Sequence, residues 1–449
     1  MTAAGKVSAG LQPYPAYKDS GVAWIGEIPV EWEVRRLKEI AKLRAGSAFP
    51  DAFQGNPAGE IAFLKVGNLE NDGKRTITNS NHWISIKTAQ ILNAYIFDAG
   101  VFVIAKIGAA LLKNRVRQLG MRCCIDNNMM AITVSAESSD FMAYALQTLN
   151  FAKLAESAAV PSLSAGKVGQ LPVVIPSPTE QHAIATFLDR ETARVDELLR
   201  EQGLLLKDLG LKRDSVINAA VTGTLSPTTS VFCNVPGVGD IPIHWEVSKL
   251  KRIAQVRGGV TKGRDLQGKT VMEVPYLRVA NVQDGYLDLD EVATILIGAD
   301  ELERYALQPG DVLMNEGGDN DKLGRGAVWR GEVSPCVHQN HVFSVRPHSV
   351  EPEWLALVNR SAYAKFFFFV NAKQSTNLAS ISSNTIKELS VVMPPREERL
   401  ALLATVSEQL AQIDELTEEV RASMDLMRQH RAALITAAVT GKIDVRNLA

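Results

Sequence analysis

The feature that most limits what this chain can fold into is a long apolar seam that occurs twice. In residues 179–223 the seam is Leu188, Val195, Leu199, Leu206, Leu209 and Val216, stepping by threes and fours and broken by Thr192, Gln202 and Arg213. A stripe of that period is one face of an α-helix, and it needs a partner helix to cover it. Moving 218 residues along the chain gives a second seam: Val406, Leu410, Ile413, Val420, Met424, Met427 and Leu434, with polar breaks at Thr417 and Arg431. At about 1.5 Å per residue each helix is about 65 Å long, several times the mean helix of a globular domain. Two equal rods in one chain are expected to pack together and to space apart whatever they carry.

The repetition extends beyond the helices. IPVEWEVRRLKEIAKLRAG at 28–46 returns as IPIHWEVSKLKRIAQVRGG at 241–259, and nine of the fifteen positions from Trp32 and Trp245 onward are identical. The same offset of 213 relates FLKVGNLENDG (63–73) to YLRVANVQDG (276–285), apolar runs that end in turn residues. An offset of 218 relates 160–178 to 378–396, and INAAVTG (217–223) to ITAAVTG (435–441). The chain is therefore α+β, with two tandem mixed α/β globules, each followed by a long helix. The expected segments are a mobile tail at 1–15, a globule at 16–178, a helix at 179–223 and a linker at 224–240. A second globule at 241–395, a second helix at 396–441 and a tail at 442–449 complete the chain. Within the globules VFVIAKI and DVLMNE read as buried strands, and LPVVIP and LSVVMP as strands stopped by proline ahead of each long helix.

Composition narrows the class. Hydrophobic residues are 46% and charged ones 22%, ordinary for a globular protein. The longest conspicuous apolar run, Phe366 to Val370, is too short to span a bilayer, and no signal pattern opens the chain. The four cysteines have no CxxC spacing, so a reducing cytoplasm fits best. Net charge is −2 overall, but residues 32–178 carry 16 Lys+Arg against 11 Asp+Glu, whereas 245–395 carry 17 against 18. Positive charge thus gathers in the first globule and in local clusters of the second, which a polyanionic partner would feel.

Catalytic patterns are present only in outline. GRDLQGKT at 263–270 has the spacing of a phosphate-binding loop, but Pro275 and the strand-like VPYLRVA leave no helix for it to open. The one Pro-Pro, Pro394-Pro395, precedes Arg396 instead of the aromatic residue that an amino-methyltransferase needs, and no Glu has Lys two positions on, as common metal-dependent nucleases require. His338 and His341 lack ligand partners at metal spacing, so a hydrogen-bonding role is expected and no metal site is assigned. The loops at 101–122 and 311–330 share a frame and little else. The first holds five cations and no acid, and the second mixes both signs with asparagines.

Tandem halves, Ile-Pro-x-x-Trp at each module start and Ala-Ala-Val-Thr-Gly at each helix end together resemble the specificity subunits of type I restriction–modification enzymes, across essentially the whole chain. The resemblance implies two target-recognition domains, each reading one half of a split, asymmetric sequence in double-stranded DNA. It also implies helices paired as an antiparallel coiled coil about a pseudo-twofold axis, which sets the gap between half-sites. Two methyltransferase subunits carrying S-adenosylmethionine would dock on this frame, with restriction subunits that use ATP and Mg, and the chain itself would hold no cofactor and no catalytic residue. Base reading needs Arg toward guanine and Asn or Gln toward adenine, while Lys and Arg also hold phosphates. In the first globule the expected DNA-binding residues are Asn68, Lys106, Lys113, Asn114, Arg115 and Arg117. In the second they are Lys262, Arg264, Asn315, Asp319, Asn320, Lys322, Arg325, Gln339 and Asn340. The competing reading is a non-catalytic coiled-coil scaffold joining two protein partners, which the basic loop at 104–122 disfavours.

Overall fold

The computed structural model describes residues 12–70, 75–154, 161–226, 228–318, 322–374 and 379–448. The two long helices run Pro178–Val221 and Arg396–Val439. By packing the chain divides into two units, residues 1–202 with 422–449, and residues 203–421. The division cuts both helices. Each unit therefore holds one globule, the start of the helix that follows it and the end of the other helix, so the packing unit differs from the linear repeat.

In the first unit a five-stranded sheet has the order Ala41–Ala45, Met129–Val134, Phe102–Ala105, Val116–Leu119, Thr76–Ile77. A three-stranded sheet of Cys123–Ile125, Ile61–Leu64 and Trp83–Ile84 accompanies it. Strands such as Phe102–Ala105 and Ile61–Leu64 are buried at every position, which explains why they read as unbroken apolar runs. The second unit repeats this plan. Ala254–Gly258, Val342–Pro347, Val312–Asn315 and Gly326–Val328 form one sheet, and Ala293–Gly298, Val271–Leu277 and Val337–His338 another. In both units the strand before the long helix closes on the strand after the repeated Trp: Pro172–Ile175 on Glu33–Arg36, and Ser390–Met393 on Glu246–Lys249.

The same joint ties helix to globule in each unit. The Trp32 indole N–H donates to Glu180 Oε1 at 3.1 Å, and that of Trp245 to Glu398 Oε2 at 3.2 Å. Glu180 also closes a capping box with Ser177 at the helix start. Pro395 stands at the equivalent place in the second helix, and there Ser226 and His244 supply the bonds to Glu398 instead. Against the tryptophan comes the end of the other helix. Gly441 (φ +71°) lies on Pro29 and Trp32, and Gly223 (φ +77°) on Pro242 and Trp245, so close that a Cβ at either glycine would overlap the proline ring. Glycine at this position ends the helix in the left-handed conformation and permits the contact.

Three sequence expectations change here. The N-terminal tail was placed at 1–15, yet Tyr14 is buried in the first core and Gln12 O accepts from Asp444 N–H; residues 1–11 lie outside the described residues. The stretch 442–449 is not a free tail as far as Val445, because Ile443 and Val445 are fully buried in that core. The supposed linker 224–240 contains the strand Ser230–Phe232, which forms a hairpin with Asp240–Pro242. Its counterpart is Tyr17–Asp19 with Glu27–Pro29. The repeat thus begins 11 residues before Ile28 and Ile241, where the two copies keep strand geometry but few identical residues.

Along the helices every seam position is buried or half-buried. In the first unit Arg431 forms a bidentate ion pair with Asp196 at 2.8 and 3.2 Å. In the second Arg213, a polar break in the seam, is paired with Asp414. No helix among the described residues is long and apolar enough to cross a membrane.

Candidate nucleic-acid interface

In the first unit a polar groove of about 480 Å³ lies between the turn at Val66–Leu69 and residues 76–81. Asn68, Thr76, Thr78, Asn79, Asn81 and Arg117 line it, with one carboxylate, Glu70. Amides, hydroxyls and a guanidinium on one concave surface are the groups that match base edges, each amide able both to donate and to accept. Sequence reasoning chose Asn68 and Arg117 from this set, and the fold brings them together. Asn68 is partly committed: its Oδ1 accepts Lys65 N–H at 2.8 Å, and Asn281 repeats that bond with Arg278 N–H at 2.8 Å in the second unit. Arg117 Nη1 donates to Val116 O. Lys113 is exposed and Lys106 and Arg115 half-buried along the loop that enters strand Val116–Leu119.

Asn114 is a correction. It has φ +48°, its Nδ2 donates to Leu149 O at 2.8 Å and its Oδ1 accepts Phe151 N–H at 2.7 Å. Its counterpart in the second unit is Gly324 at φ +68°. The position requires a residue that tolerates the left-handed region, and the side chain is used up holding the turn.

In the second unit Asn315 is likewise structural. It is buried, and its Nδ2 donates to Val282 O at 2.9 Å. Arg264 is bound to Glu301 at 2.9 Å, with Lys269 on the same carboxylate at 3.5 Å, so its guanidinium serves an ion pair and is not presented to a ligand. The strand Val271–Leu277 follows this loop directly; the GRDLQGKT stretch therefore opens no helix. Lys262 is exposed, with its ammonium 5.7 Å from the Tyr276 ring centroid. Arg325 is half-buried and donates from Nη1 to Gln283 Oε1 at 2.9 Å. Lys322 is half-buried. Gln339 opens a tight turn whose backbone is bonded to Leu277 and Val342, and the Asn340 amide is 3.5 Å from His341 Nε2. Asp319 and Asn320 lie outside the described residues.

The remaining reactive side chains belong to the cores. Burial pushes the thiols of Cys123 and Cys336 up to about 12 and that of Cys124 to about 11, which leaves them protonated and poor nucleophiles. His338 is buried, and burial lowers its imidazole to about 4 against the hydrogen bond that its Nδ1–H donates to Val342 O at 2.7 Å. Among the described residues no three His, Cys, Asp or Glu side chains are placed to hold a metal ion.

Residues 29–202 match the type I restriction modification DNA specificity domain. A putative type I specificity subunit, MjaX, of Methanocaldococcus jannaschii is 25% identical over 207 residues, 45% of this chain and 47% of that protein. The StySPI specificity subunit of Salmonella potsdam is 24% identical over 275 residues, 60% of this chain and 57% of the relative. This chain thus aligns with about half the length of these curated relatives. A chain from a solved structure concerned with assembly and conformational transition of the type I restriction–modification system has the same fold. Its TM-score is 0.64 at 16% identity, over 92% of this chain and 98% of the other. What these comparisons share is the type I specificity domain, matched here over residues 29–202.

In the first unit the groove residues that sequence reasoning passed over are Thr76, Thr78, Asn79 and Asn81. The run TITNSN (76–81) was visible as a polar stretch of strand-forming and turn residues. What marks it as a surface for a ligand is its position opposite Asn68 and Arg117, which comes from pairing Thr76–Ile77 with Gln118–Leu119.

Proposed function

We propose that this chain is the DNA sequence-recognition subunit of a type I restriction–modification complex, with each globule reading one half of a bipartite, asymmetric duplex site. The observation that carries the reading is a duplicated backbone frame that holds unlike polar side chains at its open edge, in a chain whose residues 29–202 match the type I DNA specificity domain. A polar amide-lined groove in one copy and an Arg325–Gln283 pair in the other suit two different sequences read in the same manner.

The two long helices pair antiparallel as a coiled coil, relate the heads by a pseudo-twofold axis and set the gap between half-sites. The ion pairs Asp196–Arg431 and Arg213–Asp414 support one antiparallel register: a step of 17 residues forward along the first helix corresponds to 17 backward along the second. Two methyltransferase subunits dock on this frame and supply S-adenosylmethionine; restriction subunits supply ATP- and Mg-dependent chemistry, and the assembly works in the cytoplasm. The chain's own contribution is to bind and orient DNA. Methylation sequencing of cells that express this chain with its methyltransferase, against cells lacking the chain, tests this. The expected result is one split motif modified only when the chain is present. An unsplit motif, or the same motif without the chain, would refute the assignment.

A further inference from the structure

At the end of the third strand of each large sheet the two units hold one residue in the same backbone setting and give it opposite charge. Lys106 follows strand Phe102–Ala105; its N–H donates to Asn128 O at 2.8 Å and its carbonyl accepts Leu163 N–H at 2.9 Å. Glu316 follows Val312–Asn315; its N–H donates to His341 O at 2.9 Å and its carbonyl accepts Ile381 N–H at 2.8 Å. The next residue bridges a serine in both cases, Ile107 to Ser162 and Gly317 to Ser380, and a positive-φ glycine follows, Gly108 or Gly318. The backbone is thus fixed from both sides without help from the side chain, and the fold does not require either a cation or an anion there.

The position also lies beside the candidate interface. Strand Phe102–Ala105 packs on the turn that carries Asn68. In the second unit Asn315, immediately before Glu316, bonds to Val282 O, and the next residue, Gln283, holds Arg325. Glu316 Oε2 is 2.5 Å from His341 Nδ1, and His341 is more than half exposed. The first unit has Asn128 in place of His341. Neither residue of the pair anchors a core.

We propose that Lys106 and Glu316 are equivalent base-reading positions of opposite hydrogen-bonding polarity, an inference that rests on the function proposed above. Lys106 donates to an acceptor edge in one half-site, guanine O6 or N7. Glu316 accepts from an exocyclic amino group in the other, cytosine N4, the pairing geometry that an Asp or Glu carboxylate makes in the major groove. His341 is a positioning residue that holds the carboxylate. Because the frame is common, a charge inversion at this single position gives the two heads different preferences at one base pair each.

The test uses the full chain with its methyltransferase partner, a duplex library randomised in sequence and gap, and sequencing of the bound fraction. Glu316→Gln keeps the side chain's size and adds an amide donor, so preference at one base pair of one half-site should move from cytosine toward adenine, by about tenfold or more. The other half-site and the gap stay the same. Lys106→Glu should change one base pair of the opposite half-site, and His341→Asn should weaken discrimination at the Glu316 base pair alone. Glu316→Ala, with a matching thermal melt, guards against misfolding and should lose the cytosine preference without acquiring another. An unchanged motif in the Glu316 variants would overturn the inference. So would an equal loss on all sequences with a shallower salt dependence for Lys106→Glu, which marks a phosphate contact. A wild-type complex that selects no split motif would instead overturn the proposed function, and the inference with it.

Discussion

If the paired helices set the distance between half-sites, shortening both by facing segments should shorten the preferred gap by a calculable amount. The antiparallel register proposed from Asp196–Arg431 and Arg213–Asp414 would set residues 199–205 against 422–428. Each segment is seven residues, two turns of a seam with a repeat of three and four, so its removal keeps the seam in phase: Val195 is followed by Leu206 in the place of Leu199, and Val420 by the polar seam position Arg431 in the place of Met424. The ion pairs present within these segments and their immediate neighbours, Arg200–Glu197 and Arg428–Asp425, are local to one helix, and the joints at Trp32 and Trp245 are untouched. The loss in length is about 10 Å at about 1.5 Å per residue, or about three base pairs at about 3.4 Å each. Three base pairs also turn the duplex by about 100°, given about ten per turn. The complex should therefore prefer a gap two to four base pairs shorter on the order set by these lengths, bind it more weakly than the parent binds its own site, and read both half-sites unchanged. Selection from a library of variable gap measures this directly. An unchanged gap with both half-sites still read would refute the ruler. Removing 199–205 alone should put Arg213 and Asp414 out of register and lower the melting temperature.

Other expectations follow from single sites. Replacing His338 by Ile, the residue at the equivalent position 125, should remove an acid dependence of stability. The folded imidazole titrates near 4 and the unfolded one near 6.5, so the unfolded state takes up the proton first, and stability falls between those values by about 3 kcal/mol. Above pH 6.5 the histidine contributes nothing of this kind. Thermal melts of wild type and variant across pH 4–7 compare the slopes, and parallel curves would count against the assignment. Trp32→Phe should cost about 1–3 kcal/mol by stranding Glu180 Oε1, since Ser177 holds only the other oxygen, and Trp245→Phe less, since both Glu398 oxygens keep a donor, Ser226 on Oε1 and His244 on Oε2; differential scanning calorimetry reads the difference. Asn114→Gly should fold and leave the recognised sequence as it was, whereas Asn114→Ala should lower stability, because alanine neither bonds Phe151 nor favours a positive φ. A changed DNA motif in Asn114→Gly would restore this residue to the reading surface.

The long helices and the strand runs were legible because their signals are periodic and local. The seam from Leu188 to Val216 and its copy need only a count of threes and fours, and VFVIAKI needs only unbroken burial. The candidate site was legible in part. Lys106, Lys113, Arg115 and Arg117 announce themselves by charge, but charge does not reveal whether a polar side chain faces outward or braces the backbone. Asn114 and Asn315 look like DNA-binding residues and are turn and core residues; Arg264 looks like another and is bound to Glu301. The distinction depends on partners distant in sequence, Leu149, Val282 and Glu301, which no local pattern names. Thr76, Thr78, Asn79 and Asn81 were missed for the converse reason, since nothing nearby in sequence shows that they face Asn68 and Arg117.

The domain boundaries show a further limit. Reading in order pairs each globule with the helix that follows it, and the first turns of each helix do bond back to that globule through Glu180 or Glu398. Yet each repeated tryptophan is also covered by the far end of the other helix, through Gly441 on Trp32 and Gly223 on Trp245. The matching chemistry explains why AAVTG and IPxxW occur twice although they are far apart in sequence. They are two sides of one contact, and both copies must keep glycine against proline and tryptophan for the joint to close. A head bounded in this way is held at both chain ends by the same few residues. Side chains along its open edge, such as Lys106 and Glu316, can then differ between copies without disturbing the residues that hold it. The residues of the joint and those of the edge are thereby separated in space, as the proposed reading of two different half-sites with one repeated frame requires.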